Sequence, residues 1–149
     1  METETSRIAD QMQRAYKGPA WHGPSLKAIL LDVTEDKARL HPPNGAHSIW
    51  EIVLHITAWM RIARERLSAK ETHKVTDDED WPPPKISWNE TLAELAAEEK
   101  ALHDAIVKFP DERLNEQAPA VEPQTYYTLL HGVVQHITYH SGQIILLNK

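Results

Sequence analysis

The sequence predicts an all-α protein: an antiparallel four-helix bundle of the kind with long crossover connections. Three observations carry that expectation. In the long segments apolar residues recur at spacings of three, four and seven, as in Leu129, Val133, Ile137 and Ile144, which is the period of one helical face. Ser48-x-x-Glu51 and Ser87-x-x-Glu90 each open such a segment with the reciprocal side-chain pattern of a capping box. No stretch alternates apolar and polar residues between turns, so no strand is expected.

In chain order, Arg7 to Lys17 is a weak helix with Ile8, Met12 and Ala15 on one side, ended by Gly18-Pro19. The run GPAWHGPS bends the chain, and Pro24 suits the first turn of a helix carrying Leu26, Ile29, Leu30 and Val33. Thr34 caps a short turn ending near Leu40, and Pro42, Pro43 and Gly45 force a loop. Ser48 then starts the second long helix, which runs to Leu67 or Ser68. Lys70 to Lys85, containing DDEDWPPPK, has the charge and proline content of an exposed connection. A third helix, striped by Leu92, Leu95, Leu102 and Ile106, runs from Ser87 until Pro110 stops it. Asp111 to Pro123 is a second polar connector. The last helix, Thr125 to Leu147, is roughly 35 Å long at the usual rise. With the Gly-Pro-broken first segment counted as one, the elements make a single domain over residues 1–149.

At 149 residues, such a domain buries roughly 68–70% of its unfolded surface, so no metal or disulfide is needed for folding. A net charge of −6 and no basic tract speak against nucleic-acid binding, which rests on clustered Lys and Arg. The absence of cysteine removes disulfides, thiolate ligands and a cysteine nucleophile together. Without a signal-peptide pattern or an apolar run of about 20 residues, the expectation is a cytoplasmic protein with no membrane segment.

The chemistry is carried by histidines. His136 and His140 are four residues apart inside the apolar stripe of the last helix, so one turn stacks both imidazoles on the face where a core belongs. His55 lies among Ile52, Ile56 and Trp59 of the second helix. If those helices pack side by side, three neutral imidazoles converge on one divalent ion and leave positions for water or substrate. Single buried histidines are more often hydrogen-bonded core residues; two on one turn incur desolvation that a shared ion relieves. The motif is not H-E-x-x-H, so the base of a zinc metalloprotease is missing, and neither Glu51–His55 nor Glu99–His103 has the E-x-x-H spacing of a di-iron bundle. No G-x-S-x-G is present. His131 points away from the pair, and His41, His47, His73 and His103 fall in loops or on exposed faces. Trp21 and His22, on the bend, and Trp59 and Tyr139 are candidates to line the pocket. Glu51 either braces an imidazole or simply closes its capping box, and Gly142 and Gln143 are expected to face a neighbouring helix.

AWHGPSLKAIL, HSIWEIVLHITAWM and LLHGVVQHITYHSGQI together resemble the DinB/YfiT-like family of metal-binding four-helix bundles, over nearly the whole chain. The resemblance implies a three-histidine divalent metal site with open positions, which by position are His55, His136 and His140, holding one transition metal such as zinc, nickel or iron. It also implies a homodimer and, from characterised relatives, an enzyme acting on a small-molecule substrate with a low-molecular-weight thiol such as bacillithiol or mycothiol. A thiol S-transferase or hydrolase is therefore the leading expectation. The alternatives are a non-catalytic metal- or ligand-binding stress-response protein and a metal-free structural dimer.

Overall fold

The computed structural model describes residues 1–149 and is all-helical. Seven α-helices follow one another: α1 (Glu4–Lys17), α2 (Leu26–Leu30), α3 (Glu35–Arg39), α4 (Ile49–Arg66), α5 (Asp77–Asp80), α6 (Trp88–Lys108) and α7 (Tyr126–Leu147), with a 3-10 turn at Asp111–Arg113. Pairing outside the helices is limited to two isolated bridges, Ala20–Gly23 and Gln117–Thr125. Every α-helix has a Ser or Thr N-cap whose side chain accepts from the third backbone N–H, and α1, α4, α5 and α6 close the reciprocal half of the box. The reciprocal partner at α1 is Ser6 on Thr3, which is why this helix begins earlier than the Arg7 that apolar spacing alone suggested.

One core joins the four long helices and α2. Its fully buried residues include Ile8 and Met12 of α1, Ile56 and Met60 of α4, Leu95, Leu102 and Ile106 of α6, and Leu130, Ile137 and Ile144 of α7. The seven-residue spacing of Leu130, Ile137 and Ile144, and of Leu95 and Leu102, keeps each stripe on its neighbours over several turns. Burying each such side chain contributes about 1.5–3 kcal/mol.

Side-chain contacts fix the helix directions. Trp50 Nε1 donates to Thr91 Oγ1 at 3.0 Å, and Arg64 pairs with Glu98, so α4 and α6 run the same way. Asp111, just past α6, holds the start of α1 through the Glu4 and Thr5 amides at 2.7 and 2.9 Å, so α1 opposes α6. His55 meets His136 and His140, while Ile49 shares a cavity lining with Leu146 and Leu147, so α4 opposes α7. The order is up–down–down–up rather than a strict alternation. Because α4 and α6 start at the same end, residues 67–87 must travel back along the molecule between them. That connector is not merely an exposed linker: Thr76 caps the single turn α5, and Pro82 ends it by forcing the residue before it out of the helical region, with Trp81 at φ −123° and ψ 75°. No helix is long and apolar enough to cross a membrane.

Candidate metal centre

His55, His136 and His140 come together between α4 and α7, with ligand atoms within 4.8 Å of one another. His136 Nε2 lies 3.0 Å from His55 Nε2 and 3.1 Å from His140 Nε2. The helical period explains the pair, since residues four apart stack on one face; the antiparallel crossing of α4 supplies the third ring. His55 and His140 are 6% exposed, so polar atoms here have little water to fall back on.

Hydrogen bonding fixes the tautomers. His55 Nδ1 is 2.6 Å from the Asp80 carbonyl oxygen, and a carbonyl only accepts, so the proton sits on Nδ1 and Nε2 carries a lone pair. His140 Nδ1 is 2.6 Å from Gln143 Oε1, and the same reasoning leaves its Nε2 unprotonated. His136 Nε2–H can then satisfy only one of its two neighbours along its N–H axis. One shared proton cannot serve three converging nitrogens, whereas a cation serves all three. Ligand nitrogens around a tetrahedral ion at about 2.0–2.1 Å stand about 3.3–3.4 Å apart, a few tenths of an ångström beyond the two spacings His136 makes, and inside the 4.8 Å that spans the three ligand atoms. The residues present fit a divalent transition metal.

Electrostatics point the same way. Burial pushes the His136 imidazole down to about 3, helped by repulsion from His140 and His55. Burial also lowers His55, opposed by the hydrogen bond and charge of Asp80, and lowers His140, opposed by its bond to Gln143. All three are neutral ligands at neutral pH. Asp80 Oδ1, 3.2 Å from His55 Nδ1, makes that ring a stronger donor through its far nitrogen.

Two cavities flank the trio. The first, about 350 Å³, is lined by His55 and His136 with Trp59, Asp80, Gln124 and Gly132 among others. The second, about 380 Å³, is lined by His140 with His47, Trp81, Tyr139, Gln143 and Leu146 among others. Trp59 therefore faces the first cavity, and its Nε1 donates to Asp80 Oδ1 at 2.6 Å; Tyr139, 65% exposed, stands at the second. Trp21 and His22 line neither. Both are exposed on the turn closed by the Ala20–Gly23 bridge, and Trp21 makes no burial at all, because the chain folds back there on itself instead of over the histidines.

A family model described as the DinB superfamily matches residues 20–144. The chain belongs to the DinB superfamily. No curated protein and no solved structure gives a match to it. In this DinB chain the residues that sequence reasoning missed come from the connector. Trp81 stacks on His55 at 3.8 Å and 7° and on His47 at 3.6 Å and 8°, and Asp80 beside it supplies both the carbonyl and the carboxylate. The only signal for them was an aromatic between an acidic run and three prolines, an arrangement that stops a helix but does not say where it lands. Gln143 bonds to His140 within its own helix instead of to a neighbour, and Glu51 closes its capping box and meets His41 at 2.9 Å rather than His55. Gly142 is not a close-packing residue either: nothing lies within 4 Å of where its Cβ would be.

Proposed function

We propose that this DinB protein is a metal-dependent enzyme of the thiol S-transferase or hydrolase type, a four-helix bundle holding one divalent ion on His55, His136 and His140. The observation that carries the reading is the convergence of three neutral imidazole nitrogens, two of them locked as lone-pair donors, beside a cavity that also presents a carboxylate. Zinc, nickel and iron all suit an all-imidazole donor set. Such an ion, once held, acts as a Lewis acid that lowers the pKa of a water or thiol.

The chain's own residues supply the rest. Asp80 keeps His55 in the right tautomer through its carbonyl, and its carboxylate lines the first cavity, placed to accept a proton from a nucleophile that enters there. Trp59 fixes that carboxylate through its indole N–H. Trp81 covers one face of His55 and keeps water from it. Low-molecular-weight thiols are the proposed co-substrates.

The deciding experiment is elemental mass spectrometry on the purified wild type, His55→Ala and His136→Ala, with helicity followed by circular dichroism. About one transition metal per chain, lost in both variants while the helices persist, is the expected result. A wild type that takes up no zinc or nickel on incubation overturns it. A loaded protein that turns over no electrophile with any thiol or with water is instead a metal-binding stress-response protein.

A further inference from the structure

Every arginine but one pairs with a carboxylate: Arg7 with Glu4, Arg14 with Asp10, Arg39 with Glu35, Arg61 and Arg64 with Glu98, and Arg113 with Glu116. Arg66 is the exception, and it is also the buried one, only 9% exposed. Its side chain makes no salt bridge and no hydrogen bond; the guanidinium lies over the Trp59 ring, 5.6 Å from the centroid. Burial pushes its pKa down, and no carboxylate stands close enough to raise it again. An arginine so placed is almost always paired. The indole face and the carbonyl end of α4 offset part of the cost of burying the charge, but neither takes up the N–H donors of its planar fork.

The unpaired cation belongs to the groove that holds the histidines. Arg66 follows His55 by about three turns of α4, roughly 16 Å, and comes round to within about 20° of it, with Trp59 about 40° from His55, so all three share one stripe. Because α7 opposes α4, the same distance leads from His136 back to the Thr125 cap of α7. The first cavity is lined over that span, from His136 through Val133, Gly132 and Leu129 to Gln124, with His55 and Trp59 opposite. Arg66 is therefore level with its far end, against Trp59. The opening amides of α7 are already used there: Tyr126 and Tyr127 donate to the Glu116 and Leu114 carbonyls, and Thr128 to the Thr125 hydroxyl. The guanidinium and the Gln124 side-chain amide are the donors left. Asp80, the one carboxylate of the lining, is tied to the Trp59 indole and to His55, so it repels a ligand's negative charge from the histidine end.

We propose that Arg66 is the specificity residue for an anionic co-substrate: it takes a carboxylate at the far end of a thiol whose sulfur reaches the histidines through the first cavity. The inference rests on the metal-site reading above. The ligand lies along Trp59, and its carboxylate meets the guanidinium at the edge of that ring, where two parallel charge-assisted hydrogen bonds pair the planar fork. The partial burial that leaves Arg66 uncompensated in the free protein strengthens the pair in the complex.

Mercaptohexanoate and mercaptohexanol, alike in length and thiol but differing in the terminal carboxylate, test this on the full chain. Dissociation constants are measured metal-free, by saturation-transfer NMR, and cobalt-loaded, by the thiolate-to-cobalt absorption band. Wild type is expected to prefer mercaptohexanoate by about 10-fold or more in both forms, and Arg66→Met to reduce that preference to about 2-fold or less. Asp80 and the histidine site are the same in both proteins, so their effects on the carboxylate cancel in the comparison. Without ligand, Arg66→Met is expected to melt no lower than wild type, since it removes an unpaired buried charge. Arg66→Lys, which keeps the charge and loses the fork, is expected to fall between the two in preference and provides the test if the methionine variant does not fold. Equal binding of the two thiols by wild type, or a preference that the substitutions leave unmoved, overturns the proposal. A protein that binds no cobalt yet shows the Arg66-dependent preference overturns the metal reading and keeps the anion site; one that loads cobalt while Arg66 has no influence on the preference does the reverse.

Discussion

At the scale of single residues, the site depends on which nitrogen of each imidazole carries the proton. Gln143 sets this for His140 through an amide oxygen 2.6 Å from Nδ1. Gln143→Leu removes that acceptor and frees the ring to rotate or change tautomer, so metal affinity is expected to fall about 10- to 100-fold with helicity unchanged; chelator competition followed by circular dichroism checks both halves. A variant that binds metal as tightly as wild type refutes the role. The ligands themselves were legible from the residues alone because the helical period is local: His136 and His140 sit one turn apart wherever α7 goes. His55 was legible only as a histidine on an apolar face, and Gln143 was not, because a three-residue spacing suggests contact with a neighbouring helix as readily as a partner for Nδ1.

At the scale of elements, α7 carries two glycines that cost helix stability without relieving any contact. A Cβ at Gly132 or Gly142 would meet nothing within 4 Å, and neither has a positive φ. Gly142→Ala is therefore expected to stabilise the protein by about 0.5–1 kcal/mol, read as a rise in the denaturant midpoint with unchanged slope. Gly132→Ala gains similarly in helix propensity but projects into the first cavity, so it should also slow entry of ligands there. At the start of α4, Ser48→Ala removes the acceptor for the Glu51 amide and is expected to cost about 1 kcal/mol; an unchanged urea midpoint would count against the cap. The long helices were readable because their stripes and capping boxes are written in neighbouring residues. The connector was not, since its fold over His55 depends on α4 and α6 running in the same direction, and nothing within residues 67–87 encodes that.

At the scale of the whole molecule, three imidazoles are held neutral in the folded metal-free chain, each with its pKa lowered by burial. In the unfolded chain they protonate near about 6.5, whereas folded His136 waits until about 3. The unfolded state therefore binds more protons as the solution is acidified, and stability is lost as pH falls below about 6.5. Glu99 works the other way: burial raises its carboxyl, and its contribution is present in acid and fades as pH rises. His136 alone implies a loss of about 1–2 kcal/mol at pH 5. Thermal melts of the metal-free protein should show the midpoint falling by several degrees between pH 7.5 and 5, more steeply with metal bound because protons then also displace the ion; a flat profile for the metal-free protein contradicts the neutral-histidine picture. The two tautomer locks also differ in how they withstand genetic drift. The oxygen that holds His55 belongs to the main chain of residue 80, so any codon there except one for proline, which would forfeit the amide bond from residue 80 to Thr76, still delivers it. The oxygen that holds His140 belongs to a side chain, and a single nucleotide change can delete it. Lineages descending from this protein can therefore retune the site gradually at position 143, while the tautomer of His55 stays fixed by the backbone itself.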